Sequence, residues 1–176
     1  CLSRGLGDVY KRQASETAIE FAKSRSNVLV SRTFSKIHGL AGLRVGYGIA
    51  DARVISRLKD YMLGGLAFNM PGILAAQQAI DDQDHIRATL KLNRTIHETW
   101  TKFFHDVGWQ MTPSVTCFAW VNLGTDCSPL VKFLADRNVL VGGGQRWDLP
   151  NYIRISIGTE EENEMLLSGV KAFLAA

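Results

Sequence analysis

The spacing of apolar and polar residues predicts short strands that alternate with amphipathic helices along the first half of the chain. The β-branched run 27–30 is typical of a buried parallel strand, and 45–50 predicts a second strand. A helix over 15–25 leads to the first strand. After the second strand, Asp51 is placed to cap a helix whose apolar stripe continues to Met62. We therefore expect an α/β fold.

The second half of the chain repeats this alternation after one long helix. Pro71 is well placed to open a helix, and the strong helical period of 85–107 predicts a single long helix. Strands are predicted over 117–123, 139–141 and 152–157. Ser128 should cap a helix that the proline after it opens, while Thr159 and Glu162 form a capping box for the last helix. These elements predict a compact α/β unit of their own.

The segment between the first two strands holds the most specific chemistry. Lys36 lies where a strand ends, and open α/β sheets place their ligands at the carboxyl ends of strands. Thr33, Ser35 and Arg44 add two hydroxyls and a guanidinium, which are groups suited to a phosphate. Pyridoxal phosphate needs a lysine amine beside a phosphate cradle, because its aldehyde reacts with the amine while its phosphate fixes the ring. An isolated Ser-Lys pair would instead indicate a solvated lysine.

The lysine motif of class I/II aminotransferases resembles residues 31–47, which read Ser-Arg-Thr-Phe-Ser-Lys-Ile-His-Gly-Leu-Ala-Gly-Leu-Arg-Val-Gly-Tyr. Within this family, the stretch 33–44 is most similar to the histidinol-phosphate aminotransferase branch. The resemblance implies the α/β architecture of the pyridoxal-phosphate-dependent transferases of fold type I. It also implies that Lys36 is the catalytic lysine that binds the cofactor, and that Thr33, Ser35 and Arg44 hold the cofactor's phosphate.

Three further residues are candidates for contact with the substrate. Residues 152–159 resemble the family's C-terminal arginine strand, which implies that Arg154 pairs with a substrate carboxylate or phosphate. Pattern alone would leave this arginine solvated on the polar face of its strand. Arg146 follows a glycine-rich stretch that lacks the features of a phosphate loop, and we expect it on the substrate side. Asn69 lies where the family brings a loop near the partner subunit's site.

The chain organisation is expected to comprise three parts. Residues 1–13 have no secondary-structure period, and 8–13 can be encoded by a string that resembles a sequencing-library adapter, so we interpret 1–13 as a non-native, adapter-derived segment. Residues 14–84 are expected to be the truncated remnant of a cofactor-binding large domain. Residues 85–176 are expected to be a linking helix and a small C-terminal α/β domain. The resemblance implies a homodimer for the full-length parent.

Composition excludes several other classes of function. The 176 residues are 46% hydrophobic and 21% charged, with a net charge of +3 from scattered basic residues, so nucleic acid binding has no support. No apolar run approaches the roughly 20 residues of a membrane span. Three cysteines without metal-ligand spacing indicate free thiols in a reducing cytoplasm. No metal is expected, because the histidines of the long helix lack ligand spacing and suggest a solvated face.

The resemblance implies transamination between an amino acid or amino phosphate similar to histidinol phosphate and a 2-oxo acid such as 2-oxoglutarate. Two alternatives remain open: a fold-type-I decarboxylase of an amino acid phosphate, and a non-catalytic α/β module. In the family, the acid that pairs with the cofactor's pyridine nitrogen lies upstream of the lysine, and 14–30 supplies none. We therefore expect this chain to be an inactive C-terminal fragment of an enzyme.

Overall fold

A computed structural model describes residues 18–62, 64 and 68–176, and it divides the chain into two compact units, Cys1–Leu90 and Lys91–Ala176. The segment 1–13 and the start of the helix predicted over 15–25 lie outside the described residues. No helix in the described part is long and apolar enough to cross a membrane. The two units are described separately below.

The first unit combines one strand pair with short helices. Its elements are α1 (Ala18–Ser24), β1 (Val30–Thr33), β2 (Gly46–Ile49), α2 (Ala52–Lys59), α3 (Met70–Asp81) and the beginning of α4 (Gln83–Asp106). The carboxylate of Asp51 accepts a hydrogen bond from the amide of Arg53, which confirms the predicted cap of α2. Pro71 lies in the first turn of α3, as predicted.

The two strands of the first unit are antiparallel, so the prediction of a buried parallel strand is wrong in direction. Val30 pairs with Ile49 and Thr33 with Gly46, and the predicted strand 27–30 begins only at its last residue. Parallel strands need a crossover connection, usually a helix. Here the connection contains only turns and a single 3₁₀ turn, Ala41–Leu43, which brings the chain directly back beside β1.

The second unit is a four-stranded antiparallel sheet with helices on one face. After the rest of α4 come β3 (Gln110–Met111), β4 (Phe118–Asn122), α5 (Ser128–Ala135), β5 (Gly142–Gly143), β6 (Tyr152–Ser156) and α6 (Glu160–Leu174). The strand order is β3-β4-β6-β5, and every pair is antiparallel. The predicted long helix and the strands at 117–123 and 152–157 are therefore confirmed within a few residues.

Two local predictions in the second unit are wrong. The strand expected at 139–141 lies instead at β5, because the amide of Val139 donates to the carbonyl of Leu134 and completes the end of α5 (2.9 Å). Ser128 does not cap α5, because the residue at that position is Cys127. The Ser128 hydroxyl donates instead to the carboxylate of Asp126 (2.7 Å).

The core of the second unit lies between one face of the sheet and the three helices. Alternate residues of β4 and β6 point inward, and α4, α5 and α6 cover them. The fully buried large side chains of this core are Trp100, Phe104, Val121, Leu130, Leu134, Ile153 and Val170. The capping box of Thr159 and Glu162, confirmed at the start of α6, fixes the last helix on this core.

Candidate active site

The lysine of the motif lies on a short turn that two buried neighbours anchor. Phe34 and Ile37 are 4% and 6% exposed, whereas Lys36 between them is exposed. The rings of His38 and Tyr47 contact Phe34, with centroids 4.9 and 5.7 Å away. Because its neighbours anchor the backbone on both sides, the turn places the Lys36 side chain outside the core.

Two hydroxyls of the motif lie together beside this lysine. Thr33 Oγ1 donates to Ser35 Oγ at 2.8 Å, and the Ser35 amide donates to Thr33 Oγ1 at 3.0 Å. Both residues are half-buried. In this arrangement the Thr33 hydroxyl gives its proton to Ser35, so the Ser35 hydroxyl at the end of β1 is the one that keeps a proton for an anionic ligand.

Arg44 returns to the same end of the hairpin from the other strand. The amide of Phe34 donates to the carbonyl of Val45 at 3.1 Å. Ser35 comes directly after Phe34 and Arg44 directly before Val45, so both residues lie at the same end of the strand pair. Arg44 has a left-handed backbone (φ 53°), and its guanidinium donates to the carbonyl of Ala41 at 2.8 Å. No hydrogen bond in the described part of the chain joins Arg44 to Thr33 or Ser35.

Asn69 supports the segment that leads to Arg44. Its amide nitrogen donates to the carbonyl of Leu43 at 2.7 Å, and its amide oxygen accepts from the Gly72 amide at 3.2 Å, which caps α3. A Cβ on Gly72 would overlap the side chain of Val45, so a glycine is needed for this close approach. The predicted contact of Asn69 with a partner subunit remains a prediction.

One of the three histidines of the long helix corrects the prediction of a solvated helix face. His97 is buried, and its Nε2 lies 2.7 Å from the carbonyl of Thr116. His85 and His105 are exposed, as expected, and His85 Nε2 also lies 2.9 Å from the carbonyl of Ile37 in the lysine turn. Nothing in the sequence indicates this contact, because 48 positions separate the two residues.

The part of the chain that the structure describes contains no cluster of potential metal-binding side chains. Within 18–62, 64 and 68–176, no three side chains of histidine, cysteine, aspartate or glutamate lie close enough to hold an ion.

Arg154 lies on the outer face of the second unit's sheet, opposite the core. Its cross-strand neighbours are Trp120 and Gly142, and its guanidinium lies 4.2 Å from the ring centroid of Phe118. Arg146 lies on the 3₁₀ turn Gly144–Trp147, with its guanidinium 4.7 Å from the Trp147 ring centroid. The structure thus places the three candidate substrate residues in different units, with Asn69 in the first and both arginines in the second.

The groups around Lys36 fit pyridoxal phosphate chemically. An exposed primary amine suits the aldehyde, and the exposed Arg44 supplies a positive charge. The Ser35 hydroxyl accepts a hydrogen bond from Thr33 and keeps its own proton, which suits a phosphate oxygen. No ion pair among the described residues joins Lys36 or Arg44 to a carboxylate, so both charges remain available to an anion.

Comparison with known proteins agrees with this chemistry. The family model "Aminotransferase class I and II" matches residues 6–170. Histidinol-phosphate aminotransferase 2 of Legionella pneumophila (strain Lens) is 34% identical over 161 residues, which are 92% of this chain and 43% of that protein. The chain therefore spans about half the length of the curated relatives it matches.

Solved structures share the fold described above. The histidinol-phosphate aminotransferase of Sinorhizobium meliloti, in complex with pyridoxal-5'-phosphate, has a TM-score of 0.77 and 26% identity, covering 88% of this chain and 44% of that one. The L-threonine-O-3-phosphate decarboxylase of Porphyromonas gingivalis has a TM-score of 0.78 at 22% identity, covering 98% and 54% respectively, and shows the fold alone. This chain belongs to the aminotransferase class I and II family, with the fold type I architecture and with pyridoxal phosphate as the family's cofactor.

Proposed function

We propose that the protein to which this chain belongs transfers an amino group between an amino acid or amino phosphate similar to histidinol phosphate and a 2-oxo acid such as 2-oxoglutarate. The observation that carries the proposal is the lysine turn, where the exposed Lys36 directly follows the hydrogen-bonded pair of Thr33 and Ser35. The names of the curated relatives support the substrate class. A homodimer in the full-length protein is part of the same proposal.

Lys36 is the catalytic residue of this proposal. When bound, pyridoxal phosphate supplies an electron sink that stabilises negative charge on the substrate Cα. Lys36 Nζ would hold the cofactor and, when free, would take the proton from the Cα of the amino donor in one half-reaction and deliver a proton to the Cα of the newly formed amino acid in the other. Thr33, Ser35 and Arg44 would hold the phosphate group, which fixes the distance between the amine and the reacting carbon.

Arg154 orients the substrate in this proposal. A guanidinium binds a carboxylate or a phosphate through two parallel hydrogen bonds, which fixes the direction as well as the position of the anion. In the half-reaction that uses glutamate or its keto acid, the anion is a carboxylate. With an amino phosphate, the same side chain meets the phosphate.

Reduction and peptide mapping of the 176-residue chain test the role of Lys36. Borohydride fixes pyridoxal phosphate on the amine that holds it, and we expect the pyridoxyl mass on the peptide containing Lys36. Lys59 and Lys23 are internal controls, because they are exposed lysines of the same unit without neighbouring hydroxyl pairs. Equal labelling of all three lysines, or undiminished total labelling in Lys36→Ala, would contradict the proposal.

We further propose that the 176-residue chain alone does not complete a transamination. The cofactor needs an acid against its pyridine nitrogen to act as a strong electron sink. No hydrogen bond among the described residues brings a carboxylate to the segment 33–44. We expect no keto product when the chain is incubated with pyridoxal phosphate, histidinol phosphate and 2-oxoglutarate. Keto product would contradict this expectation, and carbon dioxide from an amino acid phosphate would indicate a decarboxylase instead.

A further inference from the structure

The first turn of α4 contacts the lysine turn through a histidine side chain. His85 is the third residue of this helix, and its Nε2 lies 2.9 Å from the carbonyl oxygen of Ile37, the residue directly after Lys36. The two residues belong to the same unit of the fold. A carbonyl oxygen only accepts hydrogen bonds, so Nε2 carries a hydrogen and the imidazole is the donor.

Two backbone hydrogen bonds close the lysine turn on itself. The amide of Gly39 donates to the carbonyl of Lys36 at 2.9 Å, and the amide of Leu40 donates to the carbonyl of Phe34 at 3.0 Å. The carbonyl of Ile37 differs, because its hydrogen bond comes from a residue 48 positions away. The contact from α4 therefore ties the closed turn to a separate element of the first unit.

The backbone that carries His85 is held by side chains at the junction of α3 and α4. The carboxylate of Asp82 accepts a hydrogen bond from the amide of His85 at 3.0 Å and so caps α4. The side-chain nitrogen of Gln83 donates to the carbonyl of Ile80 at 2.8 Å. The junction thus has hydrogen bonds of its own, and the imidazole extends from a backbone that does not depend on the lysine turn for its position.

The other end of α3 makes a contact of the same form with the segment that leads to Arg44. Asn69 caps this helix, and its side-chain nitrogen donates to the carbonyl of Leu43, the residue directly before Arg44. In both contacts a side-chain N–H beside a helix end binds the carbonyl of a residue adjacent to a charged residue of the motif. The helices of the first unit therefore hold the backbone beside both charged residues.

We propose that His85 is a positioning residue for Lys36. By binding the Ile37 carbonyl, the imidazole restricts the backbone from which the lysine side chain extends, and so restricts where the amine meets the cofactor aldehyde. Small displacements of a reacting group are costly, which gives a single backbone contact a measurable effect. His85 takes no proton in this inference and acts only through the turn. The inference rests on the proposed function, which supplies the role of Lys36.

Hydrogen exchange of the 176-residue chain without cofactor tests the contact. His85→Leu removes the donor, and we expect the amides of Gly39 and Leu40 to exchange about three- to tenfold faster, the effect of one hydrogen bond. His85→Gln keeps an N–H donor on a side chain of similar length and should restore most of the protection. His105→Leu is the matched control, because His105 is an exposed histidine of the same helix whose imidazole lies beside Asp106. Nuclear magnetic resonance measures these amides.

Labelling with pyridoxal phosphate and borohydride tests the positioning role in the same variants. The measured quantity is the ratio of pyridoxyl label on Lys36 to that on Lys59, an exposed lysine of the same unit. We expect this ratio to fall about three- to tenfold in His85→Leu, to recover in His85→Gln and to stay unchanged in His105→Leu. Recovery with glutamine distinguishes the lost hydrogen bond from a general loosening of the first unit, because only the donor is restored.

Equal exchange rates in His85→Leu and His105→Leu would overturn the inference, as would His85→Gln behaving like His85→Leu. Faster exchange with an unchanged labelling ratio would also overturn it, because the contact would then hold the turn without positioning the amine. These outcomes differ from a failure of the proposed function, which would show as equal labelling of Lys36 and Lys59 in the unchanged chain. Exchange needs no cofactor, so it decides whether the contact holds the turn in that case as well.

Discussion

The two units of the chain differ in how much apolar surface they bury. The second unit has a continuous core in which seven large side chains are fully buried, among them Trp100 and Leu134. The buried apolar residues described in the first unit are Ala22, Val30, Phe34, Ile37 and Ala76. Large apolar side chains such as Tyr61, Leu74 and Met70 are exposed there, at 85%, 58% and 56%.

The candidate residues of the two units therefore lie on parts of the fold with different amounts of buried core. The arginines of the second unit lie on or beside a sheet with a core behind it. Lys36 depends on two buried neighbours, a contact from His85 and a strand pair, and an isolated two-stranded hairpin is marginally stable in water. We therefore expect the first unit to open locally at a lower free energy than the second.

The largest expected effect on stability comes from removing a buried side chain from the core of the second unit. Leu134→Ala removes a fully buried side chain, and we expect it to lower the free energy of unfolding by about 2–5 kcal/mol. The matched control Leu74→Ala removes a side chain that is 58% exposed and should change it by less than about 0.5 kcal/mol. Urea denaturation measures both values.

Hydrogen exchange locates the same difference along the chain. We expect strong protection of the amides of β4 and β6 and weak protection around Lys36. Equal losses of stability in Leu134→Ala and Leu74→Ala, or equal protection in both units, would contradict the comparison.

The second-largest expected effect distinguishes Arg44 of the first unit, which should bind the cofactor, from Arg154 of the second unit, which should bind the substrate. Arg44→Ala loses a charge-assisted phosphate contact, and we expect pyridoxal phosphate to bind about ten- to a hundredfold more weakly, which corresponds to about 1.5–3 kcal/mol. Arg57→Ala is the control within the first unit, because Arg57 is exposed on α2. Arg154→Ala should spare cofactor binding and, in a complete enzyme, raise the KM for glutamate. Absorbance titration measures cofactor binding, and equal cofactor retention in Arg44→Ala and Arg154→Ala would contradict these roles.

The sequence predicted what short-range chemistry decides. The capping box at Thr159, the helix opened by Pro71 and the period of the long helix depend on residues within a few turns of each other, and the structure confirms them. The grouping of Thr33 with Ser35 is equally local, and the structure joins them by a hydrogen bond, while their contact with a phosphate stays a prediction. The motif that identified the family is one continuous stretch, so its chemistry could be inferred without any knowledge of packing.

Long-range contacts decided the features that the sequence did not predict. The direction of β1 depends on how the chain returns to it, and a β-branched run looks the same in a parallel and an antiparallel pair. The contact between His85 and Ile37 joins a helix to a distant turn, so no spacing rule could indicate it. The amide of Val139 donates to the carbonyl of Leu134 at the end of α5, so the strand begins a few residues later than predicted.

The third effect compares one helix cap in each unit. Thr159→Ala removes the capping box of α6 and should lower the free energy of unfolding of the second unit by about 1 kcal/mol. Asn69→Ala removes the cap of α3 and also the bond to Leu43, so we expect faster exchange of the amides near Arg44 and weaker cofactor binding. If Thr159→Ala instead weakened cofactor binding as much as Asn69→Ala, the caps would not act within their own units.

The smallest effects concern one carboxylate in each unit. The backbone amide of Ser128 donates to Asp126 and holds the pKa of that carboxyl below its ordinary value, with help from the Ser128 hydroxyl. The pKa of Asp51 is also lowered, first by the guanidinium of Arg53 and then by the Arg53 amide. Asp126 is exposed and Asp51 is half-buried at the surface beside an exposed guanidinium, so each carboxyl contributes little to stability.

The sign of the pH dependence is the same for both residues, but the salt dependence should differ. A carboxyl with a lowered folded pKa stabilises the fold fully above its unfolded pKa of about 3.9 and loses that contribution as the pH falls to the folded value. Asp126→Asn and Asp51→Asn should each reduce stability slightly at neutral pH and match the parent in strong acid.

At about 1 M salt the Debye length is about 3 Å, so the pKa of Asp51, paired with a charged and exposed guanidinium, should return toward its ordinary value. The pKa of Asp126 should change less, because its main donor is an uncharged amide 2.9 Å away. Carboxyl carbon titrations by nuclear magnetic resonance at low and high salt measure both, and equal salt shifts would show that the Arg53 charge does not lower the pKa of Asp51.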